Sequence, residues 1–86
     1  MSSVLVTGAS GFLGSRVVER LTAEDAAGRR AYSAMSFSGV VALDVREDPR
    51  LGKMAGVVPV TCDIRDPELS EVFIAHGVDT VVHLSL

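Results

Sequence analysis

Val4-Leu5-Val6-Thr7-Gly8-Ala9-Ser10-Gly11-Phe12-Leu13-Gly14 is the stretch on which the fold of this chain turns. Val4 to Val6 is short, β-branched and apolar on both faces, which suits a strand buried between helix layers in a parallel sheet. Gly8 stops it. From Leu13 onward the apolar residues Leu13, Val17, Val18 and Leu21 recur at helical spacing, while Arg16, Glu19 and Arg20 take the opposite face. This pattern predicts an amphipathic helix that frays near Ala26-Ala27 and ends at Gly28, where glycine accepts a left-handed cap. The three glycines therefore occupy a turn from a buried strand into a helix.

That position gives each glycine a specific expectation. Gly8 would allow the tight turn out of the strand, Gly11 would let a pyrophosphate approach the backbone, and Gly14 would let the helix pack closely on the sheet. Amides near Phe12 and Leu13 would point at the phosphates, helped by roughly half a positive charge at the helix end. A tight strand-to-helix turn that binds nothing is the competing reading of the same glycines. Two other phosphate or nucleophile motifs fail on residue identity. A P-loop counted from Gly8 needs glycine where Leu13 stands, and a nucleophile elbow around Ser10 needs glycine at Phe12. Ser10 is then a turn residue.

Further along, Arg29 to Gly39 shows no clear period and is predicted to be a loop. Val40-Val41-Ala42-Leu43 resumes the continuous apolar pattern of a second strand, and Pro49 to Met54 suits a helical turn. Val57-Val58-Pro59-Val60 reads as a third strand at a sheet edge, because proline cannot donate to a ladder. Asp66-Pro67 marks a helix start, with Leu69, Val72, Phe73 and His76 on one face and Gly77 as its end. Val81-Val82-His83-Leu84 supplies a fourth buried strand. Strands alternating with helices predict an α/β fold, the first half of a doubly wound parallel sheet in the order 3-2-1-4. An apolar strand over Val81 to Leu86 would leave an unpaired edge, so the 86 residues are expected to be one N-terminal part of a domain, truncated after strand four.

Composition narrows the partners. A hydrophobic share of 48% with only 5% aromatic residues implies an aliphatic core and no stacking surface for nucleic acid. A net charge of −3 provides neither a polyphosphate footprint nor attraction to an anionic membrane. Any phosphate must be bound locally. Cys62, the one cysteine, has no disulfide partner and no zinc-like spacing around it, and no export segment opens the chain, so a cytoplasmic setting is expected. An inert buried thiol suits it better than a reactive one. His83, inside an apolar strand, reads as a satisfied core residue, and His76 as helix surface.

Asp44 closes the second strand, where a carboxylate would accept the hydroxyls of an adenosine ribose and repel a 2′-phosphate. Its distance from Gly8 exceeds the usual offset of about 20 residues, and the Arg29 to Gly39 insertion accounts for the excess. A solvated loop start is the bland alternative for Asp44. Arg46 nearby would instead favour NADP, the weaker case beside Asp44.

Thr7 to Gly14, the strand ending at Asp44, Thr61-Cys62-Asp63-Ile64-Arg65-Asp66 and Val78-Asp79-Thr80-Val81-Val82-His83-Leu84 together resemble the extended short-chain dehydrogenases/reductases, the NAD-dependent epimerase/dehydratase group with a Rossmann fold. The resemblance covers nearly the whole chain, with four separated motifs in the family's order. It implies that Gly8, Gly11, Phe12 and Leu13 hold the pyrophosphate of NAD and Asp44 its ribose. Asp63 and Ile64 would meet the adenine, although Asp63 also suits a turn carboxylate that caps the next helix. Leu84 and Ser85 correspond to a segment that passes along the cofactor, with Ser85 where the family often has Ala.

The family's catalytic pair is a tyrosine followed four residues later by a lysine. Tyr32, the single tyrosine here, has Ser36 at that offset. No catalytic residue is therefore assigned. The leading expectation is an NAD-binding segment of an oxidoreductase, epimerase or dehydratase acting on a nucleotide sugar, sugar or related carbonyl or alcohol, with the substrate met by other residues and homo-oligomerisation possible. A noncatalytic dinucleotide-binding sensor or regulatory protein is the alternative, and a structural fragment that binds nothing is a third.

Overall fold

Five consecutive buried residues form the central strand, β1 (Ser3–Thr7), and the other elements are arranged around it. The computed structural model describes residues 2–85. They run α1 (Phe12–Thr22), α2 (Ala31–Ala34), β2 (Gly39–Asp44), α3 (Pro49–Gly52), β3 (Val57–Thr61), α4 (Leu69–His76) and β4 (Val78–His83). All strand pairs are parallel and the order is β3-β2-β1-β4, the α/β Rossmann-like topology predicted above.

Strand geometry explains why β1 and β2 are apolar throughout. Side chains alternate between the two faces of a sheet, and here both faces are covered. Val4, Val6, Val40 and Ala42 meet Val18 and Leu21 of α1 and Leu51 of α3 on one face. Leu5, Val41 and Leu43 meet Leu69, Val72 and Phe73 of α4 on the other. β3 is an edge strand, as Pro59 predicts, and Pro59 lies opposite Ala42 in the ladder.

Several boundaries differ from expectation. α1 stops at Thr22 rather than Gly28, because Ala23 is extended and its amide turns back to the Arg20 carbonyl, while the Thr22 hydroxyl bonds the Val18 and Glu19 carbonyls. Gly28 is left-handed, at φ 79°, but it belongs to a turn in which Asp25 accepts the Ala27 and Arg29 amides. The segment expected to be loop contains α2, a single helical turn too short to leave a period in the sequence. Asp66 accepts the Glu68 amide, yet the residues through Glu68 form a turn and α4 begins at Leu69. Gly77 ends α4 in the left-handed conformation, as anticipated.

β4 is the clearest correction to the burial pattern. It was expected to be buried, but Asp79, Thr80, Val81 and His83 are exposed, because β4 is the other edge of the four-stranded sheet. His83 is consequently a surface residue and not a core one. β4 ends at His83, so Leu84 and Ser85, expected to continue the strand, lie beyond it, and Leu86 is outside the described residues. No helix among the described residues is long and apolar enough to cross a membrane.

Candidate functional site

The crossover from β1 leads to β2 on one side, while β4 returns on the other, so the chain reverses direction across the sheet at the C-terminal end of β1. Crevices for ligands form at such reversals. The glycine loop, Gly8 to Gly14, fills this position between β1 and α1.

The three loop glycines are required for different reasons. Gly8 has φ 67°, and a Cβ on it would lie 3.1 Å from Leu84 C and from Ser85 N. Side chains are disfavoured there by both backbone conformation and space. A Cβ on Gly14 would run into the Gly8 carbonyl and lie 2.9 Å from Ala9 Cα. Gly14 thus lets α1 close on the loop itself, not simply on the sheet. Gly11 is different: its φ of −74° suits any residue, and the one atom near a Cβ is Gly8 O at 3.3 Å. A Cβ there would make this one tight contact, so the fold crowds Gly11 far less than Gly8 or Gly14.

Beside Gly11 are unsatisfied donors. The first intrahelical bond of α1 runs from the Ser15 amide to Gly11 O at 2.9 Å, and the amides of Phe12, Leu13 and Gly14 donate to no acceptor among the described residues. No side chain caps the helix and no acidic residue stands in its first turn. Phe12 and Leu13 are 73% and 61% exposed, which is unusual for large apolar side chains and leaves their amides accessible at the positive end of the helix dipole. The arrangement suits an anion without any basic side chain.

Asp44 ends β2 beside this loop, and its carboxylate is tied into it. Oδ2 accepts the Ser10 amide at 3.0 Å and Oδ1 the Arg46 amide at 3.3 Å. Burial alone would raise its pKa, but hydrogen bonds from Ser10 and from the Arg46 and Val45 amides prevail and hold it below the ordinary carboxylate range. The carboxylate stays ionised and retains lone pairs for further donors. Ser10 was expected to be only a turn residue, yet it joins the loop to the ribose candidate.

A cleft of about 420 Å³ brings Gly8, Asp44, Asp63, Ile64 and Ser85 together. Leu84 lies just behind it, packed partly into the α1 face of the core. Asp63 faces the cleft in a closed turn, accepting the Arg65 amide and Nε on Oδ1 and Arg65 Nη2 on Oδ2 at 2.8 Å. The hydrogen bonds from the Arg65 side chain, then from its amide, lower the Asp63 pKa from 3.8 to about 2. Asp63 does not cap α4; Asp66 bonds the Glu68 amide there.

A depressed carboxyl pKa contributes stability above its unfolded value and loses it as pH falls through the folded one. The Asp63–Arg65 contribution is therefore present at neutral pH and disappears between about pH 4 and pH 2. Carbon-detected NMR titration is expected to place the Asp63 transition near 2, and Arg65→Ala to move it back toward 3.8. An Asp63 transition that stays put in Arg65→Ala would disprove the pairing.

One hydroxyl organises the opposite wall. Thr7 Oγ1 accepts the Leu84 amide at 2.9 Å and the Ser85 amide at 3.2 Å, leaving its O–H to donate to His83 Nδ1 at 2.8 Å. It also lays Leu84 and Ser85 against Gly8. Thr7 and Ser10 were missed as site residues because their partners are 34 to 78 positions away, where no local pattern signals them. Cys62 is half-buried; burial and the carboxylates of Asp66, Glu68 and Asp63 push its thiol pKa upward, which disfavours the reactive thiolate.

The model of the NAD dependent epimerase/dehydratase family matches residues 4–86. No curated protein matches the chain significantly.

Proposed function

This chain belongs to the NAD dependent epimerase/dehydratase family, and from that premise we propose that its residues form the adenosine and pyrophosphate half of an NAD site in an oxidoreductase, epimerase or dehydratase. The substrate class we propose is a nucleotide sugar, a sugar or a related carbonyl or alcohol. The observation that carries the reading is the set of three unsatisfied amides at Phe12, Leu13 and Gly14 beside Gly11, where a Cβ would meet one atom, Gly8 O at 3.3 Å. The backbone does not need glycine at that point, whereas a closely approaching pyrophosphate does.

The glycine loop and the ionised carboxylate of Asp44 support the following assignment of groups. Gly8, Gly11, Phe12 and Leu13 hold the diphosphate through backbone, Asp44 accepts ribose hydroxyls, and Asp63, Ile64, Leu84 and Ser85 surround the adenosine. A nicotinamide cofactor supplies reversible hydride transfer when bound. These residues bind and orient it; none is placed to move a proton. Tyr32 has Ser36 rather than lysine four residues on, and its phenol lies beneath Gly56. That observation keeps a noncatalytic dinucleotide-binding protein as the second reading, and a Tyr-x-x-x-Lys pair on a helix elsewhere in the same protein would decide against it.

Calorimetric titration with NAD and NADP tests the cofactor directly. NAD is expected to bind at least about tenfold more tightly, because a 2′-phosphate would sit beside the ionised Asp44. Asp44→Asn keeps one acceptor oxygen for the loop and removes the charge, so it is expected to narrow the preference. Equal affinities in the unaltered protein would remove Asp44 from the ribose site.

A further inference from the structure

The outward faces of α1 and α4 carry opposite charges beside exposed apolar surface. On α1, Arg16 and Arg20 stand one helical turn apart and border a groove of about 300 Å³ with Val17, Leu21 and Met35. Neither arginine forms an ion pair among the described residues. On α4, Glu68 at the N-cap, Glu71 and Ile74 follow one another at spacings of three, which makes them neighbours along one edge of the helix. Both glutamates are exposed and likewise form no ion pair among the described residues. Ile74 is 82% exposed, more than any other large apolar side chain described, while Leu69, Val72 and Phe73 already fill the inward face of α4. Only another molecule can bury it.

We propose that these two surfaces bind each other in successive copies of this chain, with Ile74 of one copy seated in the α1 groove of the next and Glu68 and Glu71 against Arg16 and Arg20. Cations one turn apart on one helix meet carboxylates one turn apart on the other, at the same axial spacing. The net charge of −3 opposes an undirected approach of two copies, so the arginine pair is where an acidic helix is attracted. α1 and α4 cover opposite faces of the sheet. Two rigid copies therefore cannot exchange this contact reciprocally, and association runs head to tail beyond a dimer. None of these residues belongs to the proposed dinucleotide site, so the contact stands apart from cofactor binding.

Sedimentation equilibrium of the full chain at low and high salt tests the contact. The unaltered chain is expected to gain average mass with concentration, past that of a dimer, and to lose it as salt screens the pairs. Arg16→Glu with Arg20→Glu, and separately Glu68→Lys with Glu71→Lys, are each expected to weaken association about tenfold or more. An equimolar mixture of the two double variants is expected to recover it, because every junction between unlike copies again joins opposite charges. Misfolded variants could not do so. Adding Ile74→Ser to both variants is expected to abolish the recovery, which separates a seated side chain from attraction between oppositely charged chains. A monomer at every concentration, association that stops at a dimer, or association indifferent to the charge reversals would overturn the proposal. So would a mixture that stays dissociated, or one that recovers equally well without Ile74.

Discussion

Gly11→Val is expected to abolish dinucleotide binding while leaving the fold almost intact. The substituted residue keeps an ordinary φ of −74°, and its Cβ has one close neighbour, Gly8 O at 3.3 Å. Apart from the poorer helix-capping behaviour of valine, worth up to about 1 kcal/mol, the free protein has little to lose. The bound state loses much more. Valine methyl groups would occupy the path to the amides of Phe12, Leu13 and Gly14, the donors left without acceptors in α1. Forfeiting contacts of roughly 3 kcal/mol corresponds to an affinity loss of about 100-fold or more. Melting with and without NAD separates the two effects: a near-normal free protein that no longer gains stability from NAD is the expected pair of results. Undiminished stabilisation by NAD would show that the phosphates lie elsewhere.

Gly14→Ala is expected to do the reverse, damaging the fold before binding can be measured. Its Cβ would overlap the Gly8 carbonyl and press on Ala9 Cα at 2.9 Å, and backbone on both sides leaves no flexible side chain to yield. Ala9 is itself fully buried in the core beneath α1, so the loop cannot retreat inward. Overpacking of this severity costs about 3 kcal/mol or more. For a domain of this size, the melting temperature falls by about 12 °C or more. Alanine is otherwise the better helix former by about 1 kcal/mol, so an unchanged or raised melting temperature would mean that α1 and the loop are not in contact as described. The two variants together distinguish a glycine kept for a ligand from one kept for the fold.

Much of this protein is legible in its sequence because the deciding interactions are local or periodic. The continuous apolar runs Val4 to Val6 and Val40 to Leu43 identified strands covered on both faces, and Pro59 marked an edge. Gly77 marked the end of α4 through the left-handed conformation, which glycine adopts more cheaply than other residues. Alternation of strands and helices then led to the order 3-2-1-4, since right-handed crossovers leave few alternatives. Boundaries suffered where the backbone left the helix without a local marker: nothing periodic signals that Ala23 is extended and ends α1 early.

The site divides in the same way. The glycine spacing and the strand-end position of Asp44 were sufficient to nominate a phosphate loop and a ribose acceptor. Which glycine the backbone requires, and which it crowds least, became visible only when Leu84, Ser85 and the Gly8 carbonyl were placed around them. The exposure of β4 and His83 likewise depends on which strands lie beside it, a property of the whole sheet and not of the apolar run. Thr7 joined to Leu84 and Ser85, and Ser10 joined to Asp44, are contacts between segments far apart in the chain. Local sequence determines the backbone's preferences over a few residues, but a hydroxyl or carboxylate finds its partner only after the strands have paired and brought their ends together.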